Sequence, residues 1–188
     1  DVVVVGDLFP LAEMKKQLRE SEEAVICAVA EDYDGRHLHG AGFLGPEYFN
    51  AGVMLINLDR WRDLELGGKL KEVVVSAQGQ LQSHDQDALN LVLEGAWQKL
   101  PQGFNDLRRF PPGPDTTVIH FASADKPWKA GNRHPARFQY KRYRNQTPFP
   151  YKTEFDAQNI YRNLIPPGIR RRLNPVVERL RRGGFVAS

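Results

Sequence analysis

Several short stretches of this chain carry side chains whose types and spacing could do chemistry. Asp1 heads the β-branched run Val2–Val5, and His120 sits inside Val118-Ile119-His120-Phe121. Asp1 has the plain reading of a solvated chain end, and His120 is either a satisfied, half-buried histidine or a metal ligand whose partners would come from elsewhere in the fold. Asn50, in Tyr48-Phe49-Asn50-Ala51-Gly52, is either turn chemistry or an amide presented at a strand entrance to donate and accept hydrogen bonds. Ser83-His84-Asp85-Gln86-Asp87 opens a helix. Ser83 and Gln86 have the spacing of a capping box, and the competing reading is that Asp85 and Gln86 project into a cleft. Lys126, followed by Pro127 and Trp128, is either a solvated turn lysine or a point charge for a phosphate.

The elements that must position these groups alternate between strand and helix. Val2–Val5 is a continuous β-branched run, read as a strand buried on both faces with neighbours on either side. The chain opens on this run without an initiator methionine or signal peptide, which leads us to expect more protein upstream. Pro10 fits a helix's first turn, with Leu11, Met14 and Leu18 on one side. Glu23–Ala30 reads as a second buried strand, and residues 31–49 as a loop of functional length. Gly52–Leu58 is a third strand, followed by one helix over about Trp61 to Ala77 that Gly67-Gly68 weakens. The clearest helix spans 84–94, with Leu89, Val92 and Leu93 at helical spacing and Gly95 as its stop. Short strands are expected at Trp97–Leu100 and Thr116–Ala122, and helices at 135–147 and 154–165. Asn174-Pro175 would cap a short last helix with a Leu173, Val176, Val177, Leu180 stripe. The pattern is α/β, a mixed sheet flanked by helices.

Composition narrows the classes. With 188 residues, 41% hydrophobic and 26% charged, the chain has material for a sizeable core. Its longest apolar run, Ala24–Ala30, is far short of the roughly 20 residues of a membrane helix. The single cysteine, Cys27, excludes an internal disulfide framework and fits a reducing compartment. Of the net charge of +3, residues 161–188 carry +6 through seven arginines and one glutamate, leaving −3 on the other 160 residues. That distribution argues against a nucleic-acid-binding surface and for a tail that meets something anionic. We therefore set off 151–188 as a basic, partly helical tail from a body of residues 1–150, which the resemblance below implies is the C-terminal part of a catalytic domain.

In order, Asp1-Val-Val-Val-Val-Gly-Asp-Leu, Tyr48-Phe-Asn-Ala-Gly-Val-Met-Leu-Ile-Asn-Leu, Asp85-Gln-Asp-Ala-Leu-Asn and Ile119-His-Phe followed by Lys126-Pro-Trp-Lys resemble glycosyltransferase family 8. This family of retaining, metal-dependent nucleotide-sugar transferases includes bacterial lipopolysaccharide galactosyl- and glucosyltransferases and glycogenin. The resemblance covers about residues 1–129. It implies a GT-A fold, here without its N-terminal nucleotide-binding part, and a UDP-hexose donor held through Mn²⁺ or Mg²⁺. Asp1 resembles the second aspartate of the family's metal-binding Asp-x-Asp motif, whose first aspartate would lie two residues upstream, and His120 resembles the histidine ligand. Lys126 resembles the diphosphate contact, and Ser123, with Ala124, stands where the family often has a glycine on the nucleotide side. Asn50 and Ala51 resemble donor-sugar contacts, and Asp85 and Gln86 the pair beside the transferred sugar.

The implied reaction moves a hexose from UDP to an acceptor hydroxyl with retention. Glutamine is a poor nucleophile, so the reading favours same-face attack with Gln86 as a positioning group. The acceptor would be a glycan or lipid-linked glycan of the cell envelope, with loop 31–49 contributing to its surface. The enzyme would be cytoplasmic, with the tail a peripheral anchor on anionic lipid at the inner membrane face. These 188 residues alone are expected to have little activity. The competing class is a family member that binds a nucleotide sugar without transferring it.

Overall fold

The computed structural model describes residues 1–31, 45, 47–77, 79–107, 111–122, 124–150, 152–155 and 157–182. They fall into two compact units. A sheet unit comprises Val4–Leu107 and Pro112–His120, and a C-terminal unit comprises Asp1–Val3, Arg108–Pro111 and Phe121–Ser188.

In the sheet unit, helix α1 (Pro10–Glu20) starts with proline in its first turn and turns Leu11, Met14 and Leu18 inward, as its spacing predicts. Strand β2 (Ile26–Glu31) is central to a three-stranded sheet ordered β3-β2-β4, antiparallel to β3 (Tyr48–Ile56) and parallel to β4 (Trp97–Lys99). Alternation along β2 divides the core. Ile26 and Ala28 pack with Phe49, Leu66, Leu89 and Leu93, while Cys27 and Val29 pack with Leu18, Leu100 and Phe104. This strand is buried on both faces, as its unbroken apolar run requires.

Strand β1 (Val2–Val4) is different. Val3 is buried, but Val2 and Val4 are 42% and 40% exposed. The expectation of two-sided burial fails because β-branched residues fit any pleated, half-buried surface and do not by themselves demand cover on both sides.

The expected single helix over 61–77 is two. Helix α2 (Leu58–Asp63) is capped by Asn57, whose side chain accepts from the Arg60 N–H, and α3 runs Leu66–Ser76. The break falls at Leu64-Glu65, where Glu65 takes a left-handed φ of 51°, and the two glycines lie inside α3. Helix α4 (His84–Val92) starts where predicted and ends two residues before the expected 94, with Leu89 and Leu93 in the core and Gly95 at φ 74° beyond its end. A 3-10 turn at Gln102–Asn105 leads to Asp106, which pairs in parallel with β5 (Val118–His120). The firm strand predicted over 116–122 is confined to those three residues.

In the C-terminal unit, the Phe121 N–H donates to the Asp1 carbonyl at 3.0 Å. The unit contains α5 (Arg137–Arg144), α6 (Ala157–Leu164) and α7 (Pro167–Arg182). Helix α7 is not the short element that Asn174-Pro175 was expected to cap. It begins at Pro167, whose fixed φ suits a helix start, and carries Pro175 inside it. Its expected stripe lies outside the described side chains beyond Leu173, which is exposed. Much of the loop expected over 31–49, and Ser123, lie outside the described residues.

Candidate active site

Strand β3 begins four residues before the predicted Gly52, so Tyr48, Phe49 and Asn50 are strand and not a turn leading into one. The turn chemistry of Asn-Ala-Gly is used within the strand instead. The register jumps from Ala28 opposite Met54 to Val29 opposite Asn50, leaving Ala51, Gly52 and Val53 in a bulge. Bulges re-aim side chains and backbone groups, and here two N–H groups released from the ladder are met by amide side chains.

The direction of every bond in the resulting network follows from those two N–H groups, which can only donate. Gly52 N–H donates to Asn50 Oδ1 at 2.9 Å, so Asn50 Nδ2 is the atom that reaches Glu31 Oε1 at 3.0 Å. Asn105 must then present its own Nδ2 to Asn50 Oδ1, at 2.7 Å, which turns Asn105 Oδ1 toward His120 Nδ1 at 2.9 Å. His120 Nδ1 is therefore the protonated nitrogen, and in the neutral ring the lone pair is on Nε2. Likewise Ala51 N–H donates to Gln86 Oε1 at 3.0 Å. Gln86 Nε2 then donates to Glu31 Oε2 at 3.0 Å and to the Tyr48 hydroxyl at 3.2 Å, and Tyr48 in turn donates to Asp87 Oδ1 at 2.5 Å. Glu31, at the end of β2, thus receives both amides through its two oxygens.

The expected capping box does not form. Ser83 makes no side-chain cap bond, and Gln86 points to β3. Asp87 does the capping, its Oδ2 accepting from the N–H groups of Gln82 and Ser83 at 2.7 and 2.8 Å. Asn90 locks α4 against β3 by accepting from Phe49 N–H and donating to the carbonyls of Phe49 and Gln86, each at 2.9 Å. Tyr48, Asp87, Asn90 and Asn105 are at most 1% exposed. Burial first, and then the bond to the Asp87 carboxylate, push the Tyr48 hydroxyl above its ordinary titration range, keeping it a donor.

His120 is placed by β5. Its N–H donates to the Asp106 carbonyl at 3.0 Å, and Asp106 N–H donates to Val118 at 2.8 Å. Its ring lies against Gly52, where a Cβ would stand 2.0 Å from His120 Cε1. Only glycine leaves room for the imidazole there.

The sheet unit thus brings together Asn50, Ala51, Gln86 and His120. Asp85 is exposed and lines a hollow with Lys71, Val74, Val75 and Ala88 on the flank toward α3. In the C-terminal unit Lys126 Nζ is paired with the Asp1 carboxylate and donates to the Phe121 carbonyl at 2.5 Å. Burial, with a smaller contribution from the Lys129 charge, holds Lys126 below the usual lysine range.

Among the described residues no three His, Cys, Asp or Glu side chains cluster as a metal cage. The donors the resemblance assigns within this chain are two, Asp1 and His120. The imidazole fits the group. A ligating histidine needs its second ring nitrogen held by an acceptor, and Asn105 Oδ1 provides that. Sequence reading missed Glu31, Tyr48, Asp87, Asn90, Asn105 and Gly52 as parts of the site. Tyr48, Gly52, Asp87 and Asn90 stand inside the stretches that carry the family resemblance, which was the available signal, whereas no spacing in the chain marks Glu31 or Asn105 as partners.

The sheet unit thus sets a strand bulge, an amide pair and a histidine together on a mixed sheet covered by helices. Superposed on the apo form of glycosyltransferase GlyE from Streptococcus pneumoniae TIGR4, the chain gives a TM-score of 0.58 at 25% identity, covering 76% of this chain and 36% of that one. The galactosyltransferase LgtC, solved with donor and acceptor sugar analogues, gives 0.58 at 22% identity, covering 91% and 62%. The fold is the GT-A fold of these enzymes.

Residues 1–131 match the sequence profile of Glycosyl transferase family 8, and the chain belongs to that family. It is 32% identical over 107 residues to a probable glycosyl transferase, Gly, of Streptococcus gordonii, covering 50% of this chain and 15% of that protein. It is 26% identical over 179 residues to the lipopolysaccharide 1,2-glucosyltransferase of Escherichia coli K12, covering 85% of this chain. The chain spans about half, 51%, of the length of that relative.

Proposed function

We propose that this chain belongs to an enzyme that moves a hexose from a UDP-sugar to a hydroxyl of a glycan or lipid-linked glycan, with retention, in cell-envelope synthesis. The observation that carries the reading is the network that fixes the amides of Asn50 and Gln86 at the β3 bulge beside a Nδ1-protonated His120. A sugar presents several hydroxyls, each donor and acceptor, and pre-oriented amides read them without reorganising.

A Mn²⁺ or Mg²⁺ ion held by Asp1 and His120 would supply Lewis-acid stabilisation of the departing diphosphate. Lys126 would exchange the Asp1 carboxylate for a diphosphate oxygen, one anion for another, with its stem already partly desolvated. Ser123 and Ala51 complete the proposed nucleotide and sugar contacts. Gln86 acts by position. Its Oε1 is oriented by Ala51 N–H and its Nε2 by Glu31 and Tyr48, and an amide so held favours same-face attack over a covalent intermediate.

No helix among the described residues is long and apolar enough to cross a membrane. We place the enzyme in the cytoplasm, with the arginine-rich α7 as a peripheral contact to anionic lipid.

The test is cleavage of UDP-glucose, UDP-galactose and UDP-N-acetylglucosamine by the intact protein with Mn²⁺. We expect Gln86→Glu, which turns a donor into an acceptor facing Glu31, to lower kcat about a hundredfold with KM for the donor little changed. Full cleavage by a stable Gln86→Ala variant would overturn the assignment.

A further inference from the structure

A second cavity lies wholly within the C-terminal unit and takes no part in the network above. It measures about 490 Å³ and is lined by Trp128, Tyr140, Arg144, Pro150, Lys152 and Glu154. That volume is in the range of small-ligand pockets. We propose that it binds a phosphorylated saccharide, as the subsite for an anionic sugar of the acceptor.

Three features of the lining support this class of ligand. The Trp128 and Tyr140 rings lie 5.5 Å apart at 42°, giving the cavity an aromatic wall of the kind that the C–H face of a pyranose packs on. Arg144 and Lys152 supply a planar fork and a point charge, the two cation types that recognise phosphate. Around them, helix α5 carries Arg137, Lys141, Arg142 and Arg144 and no acid, so the local field favours an anion.

The lining is also held in shape. Arg144 lies over the Phe149 ring at 5.6 Å, and Glu154 is laddered to Trp128, its N–H donating to the Trp128 carbonyl at 2.8 Å while its own carbonyl accepts from Ala130 N–H at 2.8 Å. Glu154 decides between two anionic ligands. A carboxylate in the wall repels a bare phosphate or a lipid headgroup layer, but it accepts hydrogen bonds from the hydroxyls of a sugar that brings its phosphate to the cations.

Binding at this cavity stands on its own geometry. Only the statement that the saccharide is an acceptor rests on the transferase reading. The experiment is calorimetric titration of the full chain with glucose 6-phosphate, glucose, inorganic phosphate and phosphatidylglycerol vesicles. We expect glucose 6-phosphate to bind at least about tenfold more tightly than glucose or phosphate alone. Arg144→Gln and Lys152→Gln should each weaken it about tenfold with unchanged circular dichroism. Saturating UDP should not displace it, and His120→Ala should leave it intact.

Equal binding of inorganic phosphate, displacement by UDP, vesicle binding without sugar-phosphate binding, or no binding at all would each overturn the proposal. Glucose 6-phosphate binding that is weakened in Lys152→Gln, when the intact protein and not only these 188 residues fails to cleave any UDP-sugar, would sustain the site and reject the transferase reading.

Discussion

The β3 bulge and the Trp128 cavity are both polar sites, but they are built on opposite principles. At the bulge, Asn50, Gln86, Tyr48, Asp87, Asn90 and Asn105 bond chiefly to one another and to backbone, and most are buried. Each group there is fixed by the one before it, back to two strand N–H groups, so geometry is precise and little can be altered alone. The cavity instead sets an aromatic wall beside partly exposed cations on a helix and an irregular segment. Its selectivity comes from charge and shape, and its parts contribute little to stability.

That contrast sets the expected sizes of effect. The largest belongs to Gly52→Ala, since the new Cβ would overlap the His120 ring. Either the ring or the bulge must shift, costing about 1–3 kcal/mol and, through displacement of the site, about a hundredfold in UDP-sugar cleavage. Thermal unfolding and kinetics on the same variant would separate the two; wild-type behaviour in both would show that the bulge is slack.

Asn90→Ala comes next. It strands Phe49 N–H and two carbonyls in a buried layer, and denaturant titration should show a loss of about 2–3 kcal/mol.

Tyr48→Phe should cost less, about 1 kcal/mol at pH 8, by leaving Asp87 Oδ1 and Gln86 Nε2 a partner short. Its pH dependence is the sharper readout. The folded state holds the Tyr48 proton more tightly than the unfolded chain, where the ordinary value is 10.0. The stabilisation is therefore complete below pH 10 and is lost as pH rises beyond it. Stability of wild type and Tyr48→Phe, compared at pH 8 and pH 11, should converge.

Smallest is Lys152→Gln. This exposed residue should change unfolding free energy by no more than about 0.5 kcal/mol while affecting sugar-phosphate binding. A large loss of stability there would erase the distinction between the two sites.

Legibility in the sequence follows physical scale. The strand expected over 23–30 and the helix over 84–94 were readable because burial imposes a local pattern, and they form at Ile26–Glu31 and His84–Val92. Val2–Val5 shows the limit of the same rule, since its composition resembles that of β2 but its two faces differ in cover. At the site, residue types and motif order pointed to Asn50, Ala51, Gln86 and His120, and the sheet unit brings these four together. The Ser83–Gln86 spacing misled, because Asp87 is the better-placed acceptor once α4 packs on β3.

Family membership, the alternation of strands and helices and the concentration of net positive charge in the tail are properties of residue order alone, and they required no neighbours. Three things had to wait for the fold: the bulge that frees two N–H groups, the proton position on His120, and the Trp128 cavity. Each depends on groups far apart in the chain, Ala51 with Gln86, Asn105 with His120, Trp128 with Glu154, and such pairings exist only after packing has brought their backbones to hydrogen-bonding distance.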